Sequence, residues 1–242
     1  MNSPDVDQQL TRLAGLGDPI RRALYRHVAG RGVPVSRDDA AQAVGISRPL
    51  AAYHLDKLID DGLLEARYQR RGGRQGPGAG RPAKHYLRAD RQLELSLPGR
   101  DYAALAELLA GAVEADPSGA ARTALNQAAA DLGAELGAQA ASHPATADAD
   151  PGQVPAVLGQ VLAARGYEPY EDPDGSIWMR NCPFDRIAAH HRQLVCGANL
   201  AMLQALSDHL DGDPPVRAVL DPQPGRCCVA LRRADGLRSG PA

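Results

Sequence analysis

The chain has 242 residues and a mass of 25.5 kDa, which suggests two domains, and 44% hydrophobic with 23% charged residues is too balanced for a disordered chain. No stretch reaches the ~20 uncharged apolar residues of a membrane span, and the acidic start Met1–Asp7 lacks the apolar run of a secretory signal, so the expected setting is the cytoplasm with no membrane partner. The net charge of −2 hides a division: residues 1–100 carry 17 basic and 11 acidic residues (+6), residues 101–242 carry 10 and 18 (−8), so a polyanion-binding head precedes an acidic body.

Asp18 and Pro19 open a first helix, the carboxylate as its cap and the proline where a missing N–H costs nothing. Ile20, Leu24 and Val28 form its apolar stripe, and Gly30 and Gly32 end it. Ser36-Arg37-Asp38-Asp39 reads as a capping box with Asp in place of Glu. It starts a short helix through Ala40, Ala43 and Val44 that Gly45 breaks. Ser47 caps a third helix over about residues 48–60, with Ala51, Leu55 and Leu58 inward. Arg48, Pro49, Ala52, Tyr53 and Lys57 are left on the open face. Two short helices around a tight glycine turn make a helix-turn-helix, whose second helix enters the major groove of a DNA duplex by its first turn. Small residues there allow close approach, while Arg and Tyr reach bases and phosphates.

Leu63–Arg70 then alternates like a strand, Arg71–Gly80 is glycine-rich, and Pro82–Leu87 reads as a returning strand. Between Gly62 and Arg88 stand Arg67, Arg70, Arg71, Arg74, Arg81, Lys84 and Arg88 against the single acid Glu65. A basic run alone is as well explained by a solvated loop. Its place after the helix-turn-helix makes it the wing of a winged helix, set beside the phosphate backbone or in the minor groove. The loop lacks the Gly-Lys-Ser/Thr ending of a nucleotide-phosphate loop and leads to a strand, not a helix. His27, His54 and His85 are read as packing or phosphate contacts.

Asp101 caps an apolar helix from Tyr102 to about Ala115, with Leu105, Leu108, Leu109 and Val113 on one side. Residues 118–142 are Ala-rich, with Leu125, Leu132 and Leu136 spaced for close helix–helix packing. The helices suit a dimer interface, because half-sites on duplex DNA favour a two-fold homodimer; packing within one subunit is the plainer alternative. His143–Gly152 is a linker by composition.

From Gly152 the pattern reads α-β-β-α-β-β, ending in strands at Arg217–Leu220 and Cys227–Leu231. All four cysteines lie here: Cys182, Cys196, Cys227 and Cys228. Gaps of 13 and 30 residues match neither zinc knuckles nor a ferredoxin run, although Cys182-Pro183 is a dipeptide of ferredoxin-type ligand runs. Adjacent strand residues point to opposite faces, so one of Cys227 and Cys228 would face a common centre, Cys227 by its nearness to the turn. Buried apolar thiols are the plain reading. His190 and His191 keep zinc or a mixed Cys/His ligand set open. No Cys-x-x-Cys and no nucleophile elbow supports an enzyme, so none is expected.

Asp18–Tyr25, Val35-Ser36-Arg37, Val44–Arg48, Tyr53–Leu58 and Gly62-Leu63-Leu64 together resemble the ArsR/DeoR-type winged-helix transcriptional regulators. Gly76–Lys84 with Tyr86 is similar to the wing of one branch, the SufR-like repressors of iron–sulfur cluster assembly genes. Asn181–Phe184, Val195-Cys196 and Arg226-Cys227-Cys228 resemble the three-cysteine site of that branch. The resemblance implies a repressor on a double-stranded operator, read through Ser36, Arg37, Ser47, Arg48, Pro49, Ala52, Tyr53, His54, Lys57, Arg70, Arg74, Arg81 and Lys84. It further implies a redox-sensing iron–sulfur cluster of the 4Fe-4S type on Cys182, Cys196 and Cys227, with the vicinal Cys228 leaving the third ligand open. The expected fold class is α+β: a winged helix-turn-helix over residues 1–95, a helical linker or dimerisation segment over 96–150, and a small α+β sensor domain over 151–242. An organic effector or zinc in that last domain is the alternative.

Overall fold

Side-chain caps set the N-terminal helices in place. The structure is a computed structural model that describes residues 4–69, 83–90, 100–141, 154–210 and 216–233. Helix α1 spans Pro4–Gly15 and α2 Pro19–Arg31, where the Asp18 carboxylate accepts from the Arg21 amide at 2.9 Å and Gly32 closes the end. Gly30 is inside α2, not at its end. After β1 (Val35–Ser36), Ser36 caps α3 (Arg37–Val44), and its hydroxyl both accepts from the Asp39 amide and donates to the Asp39 carboxylate. Gly45 ends α3 at φ 71°, a conformation that costs a residue with a Cβ. Ser47 then caps α4 (Arg48–Asp60).

Strands β2 (Leu64–Gln69) and β3 (Ala83–Arg88) pair antiparallel, and β1 joins the far edge of β3 to give a sheet of order β1-β3-β2. This is the expected hairpin; its tip at 70–82, with Arg70, Arg74 and Arg81, lies outside the described residues. Leu24, Val28, Leu55, Leu58 and Tyr86 meet in one core, each large apolar side chain stabilising it by roughly 1.5–3 kcal/mol.

The chain divides into two units, Met1–Arg100 and Asp101–Ala242. Helices α5 (Tyr102–Glu114) and α6 (Ala120–Ala141) belong to the second unit. There they join α7 (Val154–Ala164), β4 (Pro169–Glu171), β5 (Ile177–Met179), α8 (Asp185–Ala188), α9 (Arg192–Asp208), β6 (Val216–Leu220) and β7 (Val229–Arg233). The sheet is antiparallel in the order β4-β5-β7-β6. Leu158, Leu162, Met179, Leu203, Leu206 and Leu231 fill the core between helices and sheet.

For α6 the plainer of the two alternatives is observed, and one expectation is corrected. The Ala-rich helix α6 packs on α9 of its own chain: a Cβ at Gly133 would collide with the Met202 carbonyl, and one at Gly137 with His209. Its small residues serve contact within the subunit. Secondly, the last strand begins at Val229, so Cys227 and Cys228 precede it on the bend after Gly225 and are not governed by strand alternation.

Candidate nucleic-acid interface and thiol site

Helix α4 presents a polar face because its apolar residues are used in the core. Ala51, Leu55 and Leu58 are buried, while Ser47, Arg48, Pro49, Tyr53 and Lys57 are exposed and Ala52 is half-buried. The Arg48 guanidinium pairs with Asp38 of α3 at 2.6 Å, and Lys57 pairs with Asp60 of its own helix at 3.5 Å. Both are solvent-exposed pairs that contribute little to stability and leave the cations able to exchange onto phosphate. Arg37 and Ser36 are half-buried at the start of α3, with the Ser36 hydroxyl engaged by Asp39.

Two site residues named from the sequence are placed elsewhere. His54 is 8% exposed and packs on the inner side of α4, its ring edge against Tyr53. Spacing explains it: His54 lies three residues from Ala51 and four from Leu58, on the core stripe. Lys84 points back into the domain, where its ammonium meets Asp56 of α4 at 2.6 Å. The Tyr86 hydroxyl donates to the same Asp56 oxygen at 3.2 Å, and burial, then Asp56, pushes the phenol up to about 12. Asp56 thus ties α4 to β3. Sequence reasoning missed it because the partner is 28 residues away. It also passed over Tyr68, an exposed aromatic on β2 beside the basic run. Strand alternation was the available signal.

The second candidate site lies in the C-terminal unit. Cys182 follows β5, Cys196 sits on α9, and Cys227 and Cys228 precede β7; all four are free thiols. Cys227 is fully buried, its amide donating to the Met179 carbonyl at 2.9 Å. Its sulfur accepts from Asn199 Nδ2 at 3.4 Å, and the Asn199 Oδ1 accepts from the buried Tyr167 hydroxyl. Cys182 packs against the core that contains Cys227. The Cys182 thiol is the largest influence lowering Cys227, to about 7; burial opposes it, and the Val229 amide, Asn199 and the Cys228 amide assist. Cys182 moves up in turn, through Cys227 and then burial. Burial, then the Cys228 thiol, pushes Cys196 up to about 12. Segments separated by 13 and 30 residues thereby converge, and both vicinal cysteines take part, Cys227 with Cys182 and Cys228 with Cys196. The thiols are drawn into pairs; among the described residues no three His, Cys, Asp or Glu groups stand in metal-holding geometry.

His190 and His191 do not face the thiols. His190 Nδ1 meets Glu107 at 3.1 Å; His191 Nε2 meets Glu107 at 3.1 Å and its Nδ1 meets Glu114 at 2.8 Å. A carboxylate on each ring nitrogen favours the imidazolium form of His191, because a neutral ring has one N–H to donate. Glu114, then burial in the opposite sense, then Glu107 account for its raised pKa, and His190 foremost holds Glu107 below the usual carboxylate range.

The family model described as a helix-turn-helix domain matches residues 16–67, which is α2 through most of β2. No curated protein and no solved structure matches the chain. No described helix is long and apolar enough to cross a membrane. The match, the capped helix pair and the three-stranded sheet together make the N-terminal unit the DNA-binding helix-turn-helix of a winged-helix transcriptional regulator.

Proposed function

We propose that this regulator is a repressor that binds an operator as a homodimer in the cytoplasm and senses redox state through an iron–sulfur cluster on its C-terminal cysteines. The DNA-binding half rests on α4. Its capped first turn offers Arg48 and Pro49 to the major groove, roughly 12 Å wide, while Tyr53 and Lys57 follow along the same exposed face. On docking, Arg48 exchanges Asp38 for a phosphate or a guanine edge. Each phosphate neutralised steepens the salt dependence by about 0.9 in log–log slope.

The observation that carries the sensing half is that four thiols from three separate segments lie close enough to shift one another's titration, Cys196 and Cys227 buried and Cys182 and Cys228 half-buried. Thiolates are the ligands such a cluster needs, and the donor set fits one chemically. Cys182, Cys196 and Cys227 would hold it, with Cys228 beside Cys196 as the competing donor. Asn199 orients the Cys227 sulfur through the Tyr167 hydrogen bond, as outer-shell groups do for metal ligands. Bound there, a cluster supplies oxidant-sensitive bonds between the segment after β5, α9 and the turn before β7. Loss of such a cluster would leave the three segments joined only by their packing, and a coupling of ~1–3 kcal/mol is typical of two-state responses.

The test is anaerobic purification followed by iron and acid-labile sulfide analysis and operator gel shifts before and after oxidation. A coloured protein whose operator affinity changes on oxidation supports the reading. A colourless protein free of iron and sulfide ends the cluster half and leaves the DNA-binding half standing.

A further inference from the structure

Backbone pairing, not burial alone, brings Cys182 and Cys227 together. The Cys227 amide donates to the Met179 carbonyl at 2.9 Å, and Cys182 lies three residues beyond Met179. There the Asp185 amide donates to the Cys182 carbonyl at 3.1 Å and turns the chain after β5. The Cys182 side chain packs on the core that contains Cys227, and the two thiols hydrogen-bond each other. Asn199 Nδ2 fixes the Cys227 sulfur at 3.4 Å. The neighbouring Cys228 is drawn elsewhere, to the thiol of Cys196 on α9. Thiols buried for packing alone need neither a mutual hydrogen bond nor a donor aimed at one sulfur.

We propose that Cys182 and Cys227 close into a disulfide when the chain carries no cluster and meets a hydroperoxide, which makes the pair a reversible oxidation site. Cys182 is half-buried and Cys227 is 1% exposed, so the oxidant enters at Cys182. The Cys182 sulfur takes one peroxide oxygen to become a sulfenic acid, and an alcohol leaves, or water from hydrogen peroxide itself. The Cys227 sulfur then attacks the Cys182 sulfur and water leaves. Overall two S–H bonds and one O–O bond break, and one S–S and two O–H bonds form. Two electrons pass from sulfur to oxygen. In a reducing compartment such a bond is transient, as sensing disulfides are. It would tie the segment after β5 to the bend before β7. The bond needs no metal. Its consequence for sensing rests on the cluster reading of the preceding section: the oxidised chain has two ligands blocked and takes up iron and sulfide only after reduction.

The experiment treats the full chain with hydrogen peroxide after purification with a chelator and removal of reductant. Remaining thiols are alkylated, and the tryptic digest is analysed by mass spectrometry with and without dithiothreitol. Trypsin places Cys182 in residues 181–186, Cys196 in 193–217, and both Cys227 and Cys228 in 227–232. The expected product joins 181–186 to 227–232, and dithiothreitol separates them. It persists in Cys228→Ser and is lost in Cys227→Ser. Fragmentation between Cys227 and Cys228 assigns the bond in wild type, so the outcome does not depend on either variant folding. An internal Cys227–Cys228 bond, a Cys182–Cys196 link, sulfinic acid at Cys182, or four thiols that all remain alkylatable would each overturn the pairing. None of those results touches the cluster itself, which iron and sulfide analysis decides separately.

Discussion

Helices α4 and α5 are alike on paper and opposite in space. Each has 13 residues, and each is capped by a side chain, Ser47 and Asp101 respectively. Helix α4 buries Leu55 and Leu58 and shows Arg48 and Lys57 to solvent; α5 shows Leu105, Leu108 and Leu109 and pairs Glu107 and Glu114 with His190 and His191. Periodicity reveals that a helix has two faces. Which face turns inward is decided by the partners elsewhere: a three-stranded sheet and Tyr86 for α4, two histidines for α5.

The widest separation between the two helices should be in stability. Leu55→Ala removes a fully buried side chain and is expected to cost about 2–5 kcal/mol in urea unfolding. Leu108→Ala, measured on dilute protein, should stay within about 0.5 kcal/mol. Similar losses from both would mean that α5 is covered within its own chain. Smaller, but specific to α4, is the effect on operator binding. Arg48→Ala should weaken it by about 1–3 kcal/mol and flatten the salt slope by about one phosphate, read by fluorescence anisotropy at several ionic strengths. An unchanged slope would place the docking surface elsewhere.

The smallest effect is the pH response of the α5 clamp. The folded pKa of His191 is raised above its ordinary value, so its stabilising contribution is complete below the unfolded pKa and is lost as pH rises through the raised folded one. The second unit should therefore weaken on going from mildly acidic to alkaline solution, and His191→Ala should remove that dependence. Imidazole titration by NMR measures the pKa directly; a value at or below the ordinary one would refute the clamp.

What could be read in the sequence follows the reach of each interaction. The caps Asp18, Ser36, Ser47 and Asp101 each act on an amide three residues along, and all four were legible. Strand β1 has two residues and exists through Tyr86 and His85 some fifty positions on, so no local pattern announced it. Gly197 interrupts nothing: α9 runs through it from Arg192 to Asp208, held by the packing of its buried leucines. The thiols were legible as a set, but not their pairing, since Cys227 and Cys228 stand on a bend before the strand. Glu107 and Glu114 lie 77–84 residues from their histidines, beyond any motif.

Asp56 has a mechanical consequence. It is one carboxylate on α4 that grips both Lys84 and Tyr86 on β3. Helix and hairpin are thereby pinned like two teeth on one key, and a change at Asp56 would loosen the strand from the helix without altering any residue of the exposed face of α4.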